Sequence, residues 1–295
     1  MTSATGWPET LEVQSPQLDL RFGHDCTNRT RILRRRSRYP YVVLRPFWFG
    51  DLPEGMATLI LQSGSGGMYG GEVLGQRFVV DANAAAHVTT QAAAVVHDSR
   101  NLGPTVQQVR MEIGDAAHFE YVADPLILFP GAALHQEAEA RIGHGATLIY
   151  ADGVVRHDPG PEDRSFRQYA SRLSVRGPDG ALLLRDDTVV DGRGFDFSLA
   201  RDRHGWSATG LVLAVSPART ADHGDWCAEL NLRLGSLGAV AKKEAYASCG
   251  LLPNNAGVAC RVVARDGHSL RATIELSWRT LRHVVTGSAA PRSRK

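Results

Sequence analysis

Hydrophobic and polar residues alternate along most of the first two thirds of the chain. Runs such as Leu18–Phe22 and Tyr41–Leu44 place apolar side chains at every second position and contain several β-branched residues. This pattern is typical of β-strands. Farther along, the order strand, short turn, strand recurs in four segments, the last of them looser than the others: 78–90, 109–121, 138–150 and 172–184.

The recurring segments have a nearly constant length. Aligning His87, His118 and Thr147 spaces them 31 and 29 residues apart. A period of this size indicates stacked units, each of which needs its neighbour to bury its apolar face. We therefore predict an all-β fold over about residues 17–215, mainly antiparallel, elongated, and either two-sheeted or β-helix-like. An ordinary β-sandwich is the competing architecture.

The pattern changes towards the C-terminus. Leucines in the first part of 225–247 alternate as in a strand, the second part has helical character, and Val258–Ala264 predicts a strand. His268–Val285 predicts a helix that stops at Gly287. We expect a single domain over residues 17–290, with a helical segment at about 225–287 and flexible tails at 1–16 and 288–295.

The predicted C-terminal helix carries an apolar stripe. Four large side chains recur at helical spacing, and we expect them to dock on a partner protein. The alternative is that this stripe packs on the chain's own strands. The four residues are Leu270, Ile274, Trp278 and Leu281.

Composition excludes several classes of protein. The 295 residues are 43% hydrophobic with a net charge of +2, which argues against a dedicated nucleic-acid surface. The one basic stretch, 29–38, fits a solvated strand face, with a contact patch for an acidic protein as the alternative. Neither a signal peptide nor an apolar run of membrane-spanning length is visible. The four scattered cysteines predict a reducing, cytoplasmic setting.

Five glycines cluster in the segment 64–71, directly before Glu72. Such a cluster implies positive φ angles or a close approach of two backbones. The segment lacks the Lys-Ser/Thr ending of a phosphate-binding loop, and a strand pattern follows it where a dinucleotide site needs a helix. Nucleotide binding at this place is therefore excluded.

Four carboxylates stand among small or apolar residues, which is costly unless water, a hydrogen-bond partner or a cation attends them. They are Glu72, Glu120, Asp124 and Asp152. A water-lined interior or a passing metal ion would explain them, and hydrogen bonds to turn backbones would explain them equally well. No grouping of nucleophile, base and orienting residue is visible, so the residues predict a protein that is not an enzyme.

The segment Gly66–Glu72 resembles the Gly-Gly-x-x-Gly-Gly-Asp signature of the urease accessory protein UreD (UreH) family. Phe119–Ala132 is similar to that family's Phe-Pro-Gly-Ala core, and His87–Ala92 is similar to its Thr-Thr segment. Three positions depart from the pattern. Glu72 replaces Asp, Val95 stands where the family has Lys, and 156–163 replaces a Gly-Arg…Gly-Glu element.

The resemblance implies an all-β scaffold without catalytic activity or a tightly bound cofactor. It implies UreF, the GTPase UreG and the urease apoprotein as partners, and nickel as a transient passenger through an internal passage. Glu72 and Asp152 match acidic family positions, and Glu120 and Asp124 are further candidates for the nickel path. A β-solenoid ligand-binding or carbohydrate-active protein is the alternative function, although the scattered tryptophans disfavour it.

Overall fold

The computed structural model describes five parts of the chain: residues 15–49, 53–160, 162–192, 195 and 205–289. Apart from residues 15, 16, 288 and 289, the tails predicted at 1–16 and 288–295 lie outside these parts.

The described residues form seventeen β-strands and three α-helices. The strands are β1 (Leu18–His24), β2 (Thr30–Ser37), β3 (Tyr41–Val43), β4 (Ala57–Ser63), β5 (Val73–Val80), β6 (Ala85–Thr90), β7 (Val95–Val96), β8 (Thr105–Ile113), β9 (His118–Val122), β10 (Leu126–Leu128), β11 (Ala133–Ile142), β12 (Thr147–Arg156), β13 (Gln168–Arg176), β14 (Leu182–Asp191), β15 (Ala208–Val215), β16 (Ala245–Leu251) and β17 (Gly257–Ala264). The helices are α1 (His223–Gly235), α2 (Gly238–Ala241) and α3 (Gly267–Thr286).

The strands make two sheets. The first has the order β14-β13-β11-β8-β5-β1-β2. The second has the order β16-β17-β15-β12-β9-β6-β4-β3, and β10 joins it by pairing with β12 and β7. Strands β5, β8 and β11 of the first sheet lead through short turns into β6, β9 and β12 of the second. The chain thus winds as a solenoid of stacked coils, which confirms the first three predicted repeats.

Strand direction differs from the prediction of a mainly antiparallel fold, which is wrong for the described strands. Coil neighbours β5, β8 and β11 are parallel, as are β6, β9 and β12. Antiparallel pairs occur towards the ends of the sheets, for example β1 with β2 and β15 with β17. A solenoid imposes this arrangement, because every coil passes through a sheet in the same direction.

The register of the coils corrects one aligned position. Thr147 lies opposite His118, as aligned from the sequence, but the partner of His118 on the other side is Ala85. His87 lies opposite Glu120 instead. The sequence alignment of His87 is therefore shifted by two residues. Because side chains alternate with a period of two, the shift does not change which face of the strand His87 lies on.

The looser fourth repeat at 172–184 is not a coil. Its two halves belong to β13 and β14, which pair with each other as an antiparallel hairpin at the end of the first sheet. Gly180 has a φ of +81°, and its amide donates to the carbonyl of Gly177. This tight turn keeps the chain in one sheet instead of carrying it across to the other.

The described residues bury three hydrophobic clusters, of which the two largest follow directly from this layering. The first lies between the sheets and contains inward side chains such as Phe78, Phe119 and Leu148. The second lies on the outer face of the second sheet, beneath α1 and α3. Residues alternate between the two cores along one strand: Phe119 and Tyr121 of β9 enter the first, and Val122 enters the second.

The C-terminal helix follows the prediction to within one residue at each end. The Asp266 carboxylate accepts the Ser269 amide as an N-cap, and Gly287 ends the helix in the left-handed region with φ +75°. The strand predicted at Val258–Ala264 is confirmed as β17. The strand predicted from the alternating leucines is wrong, because Leu230 and Leu234 are buried one turn apart in α1 while Leu232 points to solvent.

Candidate functional site: a polar cavity between the sheets

A cavity of about 230 Å³ opens between the two sheets, where the strands of the second sheet end and those of the first begin. Residues from the ends of β4 and β6, together with Asp124 after β9, line one side, and the first residues of β5, β8 and β11 line the other. The glycine cluster contributes Gly66 and Gly67, and the small residues Ala92–Ala94 lie beside them. Small side chains at this place keep the space between the sheets open.

Glycine is required at this wall by close backbone packing. Gly67 has φ +150°, and a Cβ there would lie 2.6 Å from the carbonyl oxygen of Val95. At Gly70 a Cβ would lie 2.6 Å from the carbonyl oxygen of Ser99. The cluster therefore lets the segment before β5 lie directly against residues 95–102, which explains the glycines without a phosphate ligand.

Much of the cavity wall is polar but uncharged. Gln76 donates to the Tyr41 hydroxyl at 3.1 Å and accepts from the Tyr121 hydroxyl at 3.3 Å. Gln107 and Gln136 lie opposite each other on β8 and β11 and also line the cavity. Burial, together with the charge of Glu72, raises the pKa of Tyr41 to about 12, and burial raises that of Tyr121 farther. These phenols therefore stay neutral at physiological pH.

Asp152 is the buried carboxylate of this cavity. It lies on β12, is 8% exposed, and accepts a hydrogen bond of 2.9 Å from the Tyr150 hydroxyl. Burial raises the pKa of Asp152 to about 6, with a further contribution from the Asp186 charge, against the opposing hydrogen bond from Tyr150. A carboxylate with this pKa is ionised at neutral pH at a cost, and a bound cation would remove much of that cost.

Asp124 lies at the other side of the same cavity. Its carboxylate accepts from the Thr90 hydroxyl at 3.1 Å, and the Arg271 guanidinium at the start of α3 lies 3.7 Å away. Its own amide donates to the Thr90 hydroxyl at 2.9 Å. The structure therefore brings both carboxylates to one cavity. Asp124 is hydrogen-bonded to Thr90 at the end of β6, and Asp152 lies deep in the wall.

Glu72 lies outside the cavity lining. It closes the turn after the glycine cluster, where its carboxylate accepts the Tyr69 amide at 2.8 Å. This contact is the turn hydrogen bond considered as the alternative for such carboxylates. Its negative charge nevertheless helps to raise the pKa of Tyr41, which lines the cavity.

Glu120 lies on the opposite face of the second sheet, away from the cavity. One carboxylate oxygen lies 2.8 Å from His118 Nε2, and the other accepts the Trp278 indole N–H at 2.8 Å. The Arg282 guanidinium lies 3.5 Å away. Burial raises the pKa of Glu120, but the His118 hydrogen bond and the Arg282 charge outweigh it and lower the pKa to about 2. This carboxylate fixes α3 to the sheet.

The apolar stripe of α3 faces the chain's own sheet. All four of its large residues are buried in the second core: Leu270, Ile274, Trp278 and Leu281. This corrects the expectation that they form a docking face for a partner. The outer face of the second sheet is apolar and needs a cover, and α3 supplies it.

The neutral lining was missed from the sequence, although a signal for it exists. Gln107 and Gln136 are 29 residues apart, the same spacing as His118 and Thr147. A glutamine at an inward position of two successive coils indicates a polar interior at that level. Within the described ranges, no group of three or more histidine, cysteine or carboxylate side chains is arranged to hold a metal ion. Nor does the described part of the chain contain a helix long and apolar enough to cross a membrane.

Comparison with known proteins agrees over nearly the whole chain. Residues 14–295 match the family model described as UreD urease accessory protein. The urease accessory protein UreD 1 of Bradyrhizobium sp. (strain BTAi1) is 36% identical over 90% of either chain. UreD 1 of Methylorubrum extorquens (strain PA1) is 36% identical over 98% of this chain and 96% of its own. The chain belongs to the UreD family of urease accessory proteins.

Proposed function

We propose that this chain is a non-catalytic scaffold that binds the urease apoprotein together with UreF and UreG in the cytoplasm and conducts nickel towards the urease active site. The observation that carries the proposal is Asp152, a buried carboxylate in a cavity whose other deep polar groups are neutral. Nickel is cargo here, and the chain holds no resident metal in this scheme.

The chemistry of the lining suits transport better than storage. Ni²⁺ accepts oxygen ligands from carboxylate and water, and its affinity rises steeply when several imidazole or thiolate ligands act together. A path must bind strongly enough to admit the ion and weakly enough to release it. One carboxylate at a time, with amide and phenol groups that hydrogen-bond to the ion's water shell, meets both conditions.

The candidate residues take different parts in this proposal. Asp152 is the deep binding group. Asp124 also attracts the cation, and the nearby positive charge of Arg271 limits the affinity of Asp124 for it. Glu72 adds negative potential from outside the lining while it holds the glycine turn. Glu120 has no part in the path, because it lies beneath α3 with its charge balanced by Arg282.

The test replaces Asp152 in the assembled system. Asp152→Asn keeps the shape and the acceptor for Tyr150 but removes the charge. We expect urease activated with this variant to contain several-fold less nickel, as measured by elemental mass spectrometry. The complex of the variant with UreF, UreG and the apoprotein should still be recovered in pull-downs. Glu112→Gln, an exposed carboxylate on the first sheet, is the matched control. Normal nickel loading with Asp152→Asn would overturn the proposed route, and loss of the complex would indicate a folding effect.

A further inference from the structure

One end of the solenoid is formed by the two edge strands β2 and β3. Among the described strands β2 pairs with β1, and β3 pairs with β4. Side chains join the two edges: Arg35 Nη1 lies 3.5 Å from the Val43 carbonyl oxygen, and the Ser37 hydroxyl donates to the Tyr41 carbonyl at 2.6 Å. The edges therefore present one continuous surface.

This surface is strongly basic. The segment 29–49 contains seven arginines and no aspartate or glutamate. Arg31 pairs with Asp25, and Arg34 pairs with Asp19 at 2.7 Å. Arg36 and Arg38 are exposed and form no ion pair with a carboxylate in the described ranges. Most of the arginines at this end thus have no carboxylate partner within the described ranges.

Exposed aromatic and aliphatic side chains accompany the arginines. Tyr39 is 68% exposed, and Phe47 and Phe49 are each 47% exposed and stack on one another with ring centroids 6.2 Å apart. Leu44 is exposed between them in the sequence. We name this surface the arginine-aromatic end and define it by Arg36, Arg38, Tyr39, Leu44, Phe47 and Phe49.

Protection of the edge explains only part of this composition. Charged residues and a bulge on an edge strand prevent it from pairing with other chains. The arginines and the bulge at Leu33 fit that role. Exposed phenylalanines do not, because they favour association. Arginine together with aromatic residues is instead the composition enriched in protein interfaces, where these types carry most of the binding energy.

We infer that the arginine-aromatic end docks an acidic surface of a protein partner that carries apolar side chains at its centre. The inference rests on the proposed function in one respect: the candidate partners are UreF, UreG and the urease apoprotein. The charge of this end selects an acidic surface, and the aromatic groups need an apolar contact to leave water. A second copy of this chain would bring seven arginines against seven and is disfavoured.

The test measures binding of the full chain to each of the three proteins as a function of salt. Arg36→Glu with Arg38→Glu is expected to weaken one of these complexes at least tenfold, and added salt is expected to weaken the wild-type complex. Arg141→Glu is the control, because Arg141 is 71% exposed on the first sheet away from this end. Tyr39→Ser provides a second, uncharged variant. Unchanged thermal melting of each variant excludes misfolding.

Several outcomes would overturn the inference. Affinities within twofold of wild type for both the charge-reversed and the Tyr39→Ser proteins would show that this end is not an interface. Charge-dependent binding of a single-stranded RNA oligonucleotide without any effect on the protein complexes would assign it to nucleic acid. A dimer in light scattering that the charge reversal dissolves would assign it to self-association. If the wild-type chain binds none of the three proteins, the proposed function itself fails.

Discussion

At the scale of single residues, the ionisation of Asp152 is coupled to folding. Its pKa is raised to about 6 in the folded chain from an ordinary value of 3.8. A raised carboxyl pKa means that the protonated form is preferred in the fold. This preference stabilises the folded state fully at pH values below the unfolded pKa. The stabilisation is lost as the pH rises through about 6.

The first prediction follows from that coupling. Asp152→Asn should raise the free energy of unfolding at pH 7.5 by up to about 3 kcal/mol, because a shift of one pKa unit corresponds to about 1.4 kcal/mol. The gain should shrink as the pH falls from about 6 towards 4. Urea denaturation of both proteins at several pH values measures it. An asparagine variant less stable than wild type at pH 7.5 would contradict a buried, unneutralised charge.

The second prediction concerns the glycine cluster. Gly67→Ala should lower stability by about 2 kcal/mol or more, since φ is +150° and the new methyl group would contact the Val95 carbonyl. Gly64→Ala in the same loop is the matched control. A Cβ at Gly64 meets ordinary contacts of 3.7 Å, so this variant should be close to neutral. Equal effects of the two substitutions in thermal melts would argue against the close approach.

Individual residues were predicted unevenly from the sequence. Asp152 and Asp124, which line the cavity, were singled out because a carboxylate among apolar residues is conspicuous. Glu120 stands out in the same way, yet it serves the helix layer, since its partner Arg282 is 162 residues away in the chain. Long-range pairing of this kind has no local signal. The glutamines of the cavity were missed because a neutral polar residue in a strand is unremarkable by itself.

At the scale of elements, α3 is held by a polar contact as well as by its apolar stripe. Glu120, His118, Trp278 and Arg282 form a buried cluster between the helix and the sheet, and the His87 ring stacks on Trp278 with centroids 4.9 Å apart. We expect the buried ion pair between Glu120 and Arg282 to favour one position of the helix along the sheet.

The third prediction is a double-mutant cycle on this cluster. Arg282→Met should cost about 3 kcal/mol or more, because it leaves the Glu120 charge buried without its guanidinium partner. Glu120→Gln in the same chain should recover a large part of that loss. Arg279→Met, one turn away and partly exposed, is the control and should be within about 0.5 kcal/mol of wild type. Additive effects of the two buried substitutions would show that the charges are not coupled.

Helix α1 shows why one element was misread. Its leucines at 230, 232 and 234 satisfy strand alternation, and two of them also satisfy the spacing of one helical turn. A short apolar run cannot decide between these patterns. The outcome depends on tertiary packing, because Trp226 and Leu230 fill the second core beside α3.

At the scale of the whole molecule, the coils were predictable and their direction was not. The repeat length appears in the sequence, but parallel and antiparallel strands share one hydrophobic pattern. Only the continuous winding of β5, β6, β8, β9, β11 and β12 decides the direction. This winding also places the strand ends of several coils around one cavity.

The fourth prediction concerns the distribution of stability in this solenoid. Amides in β9 and β12 should exchange with solvent most slowly, because these strands have neighbours on both sides and a core on both faces. Edge strands β2, β3 and β14 should exchange fastest among the strands. Hydrogen exchange followed by mass spectrometry provides the measurement. Uniform protection across the sheets would mean that the coils unfold as one unit.

The continuous register between β5, β8 and β11 has a consequence for how such a chain can lengthen. Duplication of one coil would add a strand to each sheet and lengthen the space between them by about 4.8 Å, the distance between paired strands. The new coil would bring its own inward glutamine, as β8 and β11 already do with Gln107 and Gln136. A single internal duplication would therefore give a longer cavity with the same kind of lining.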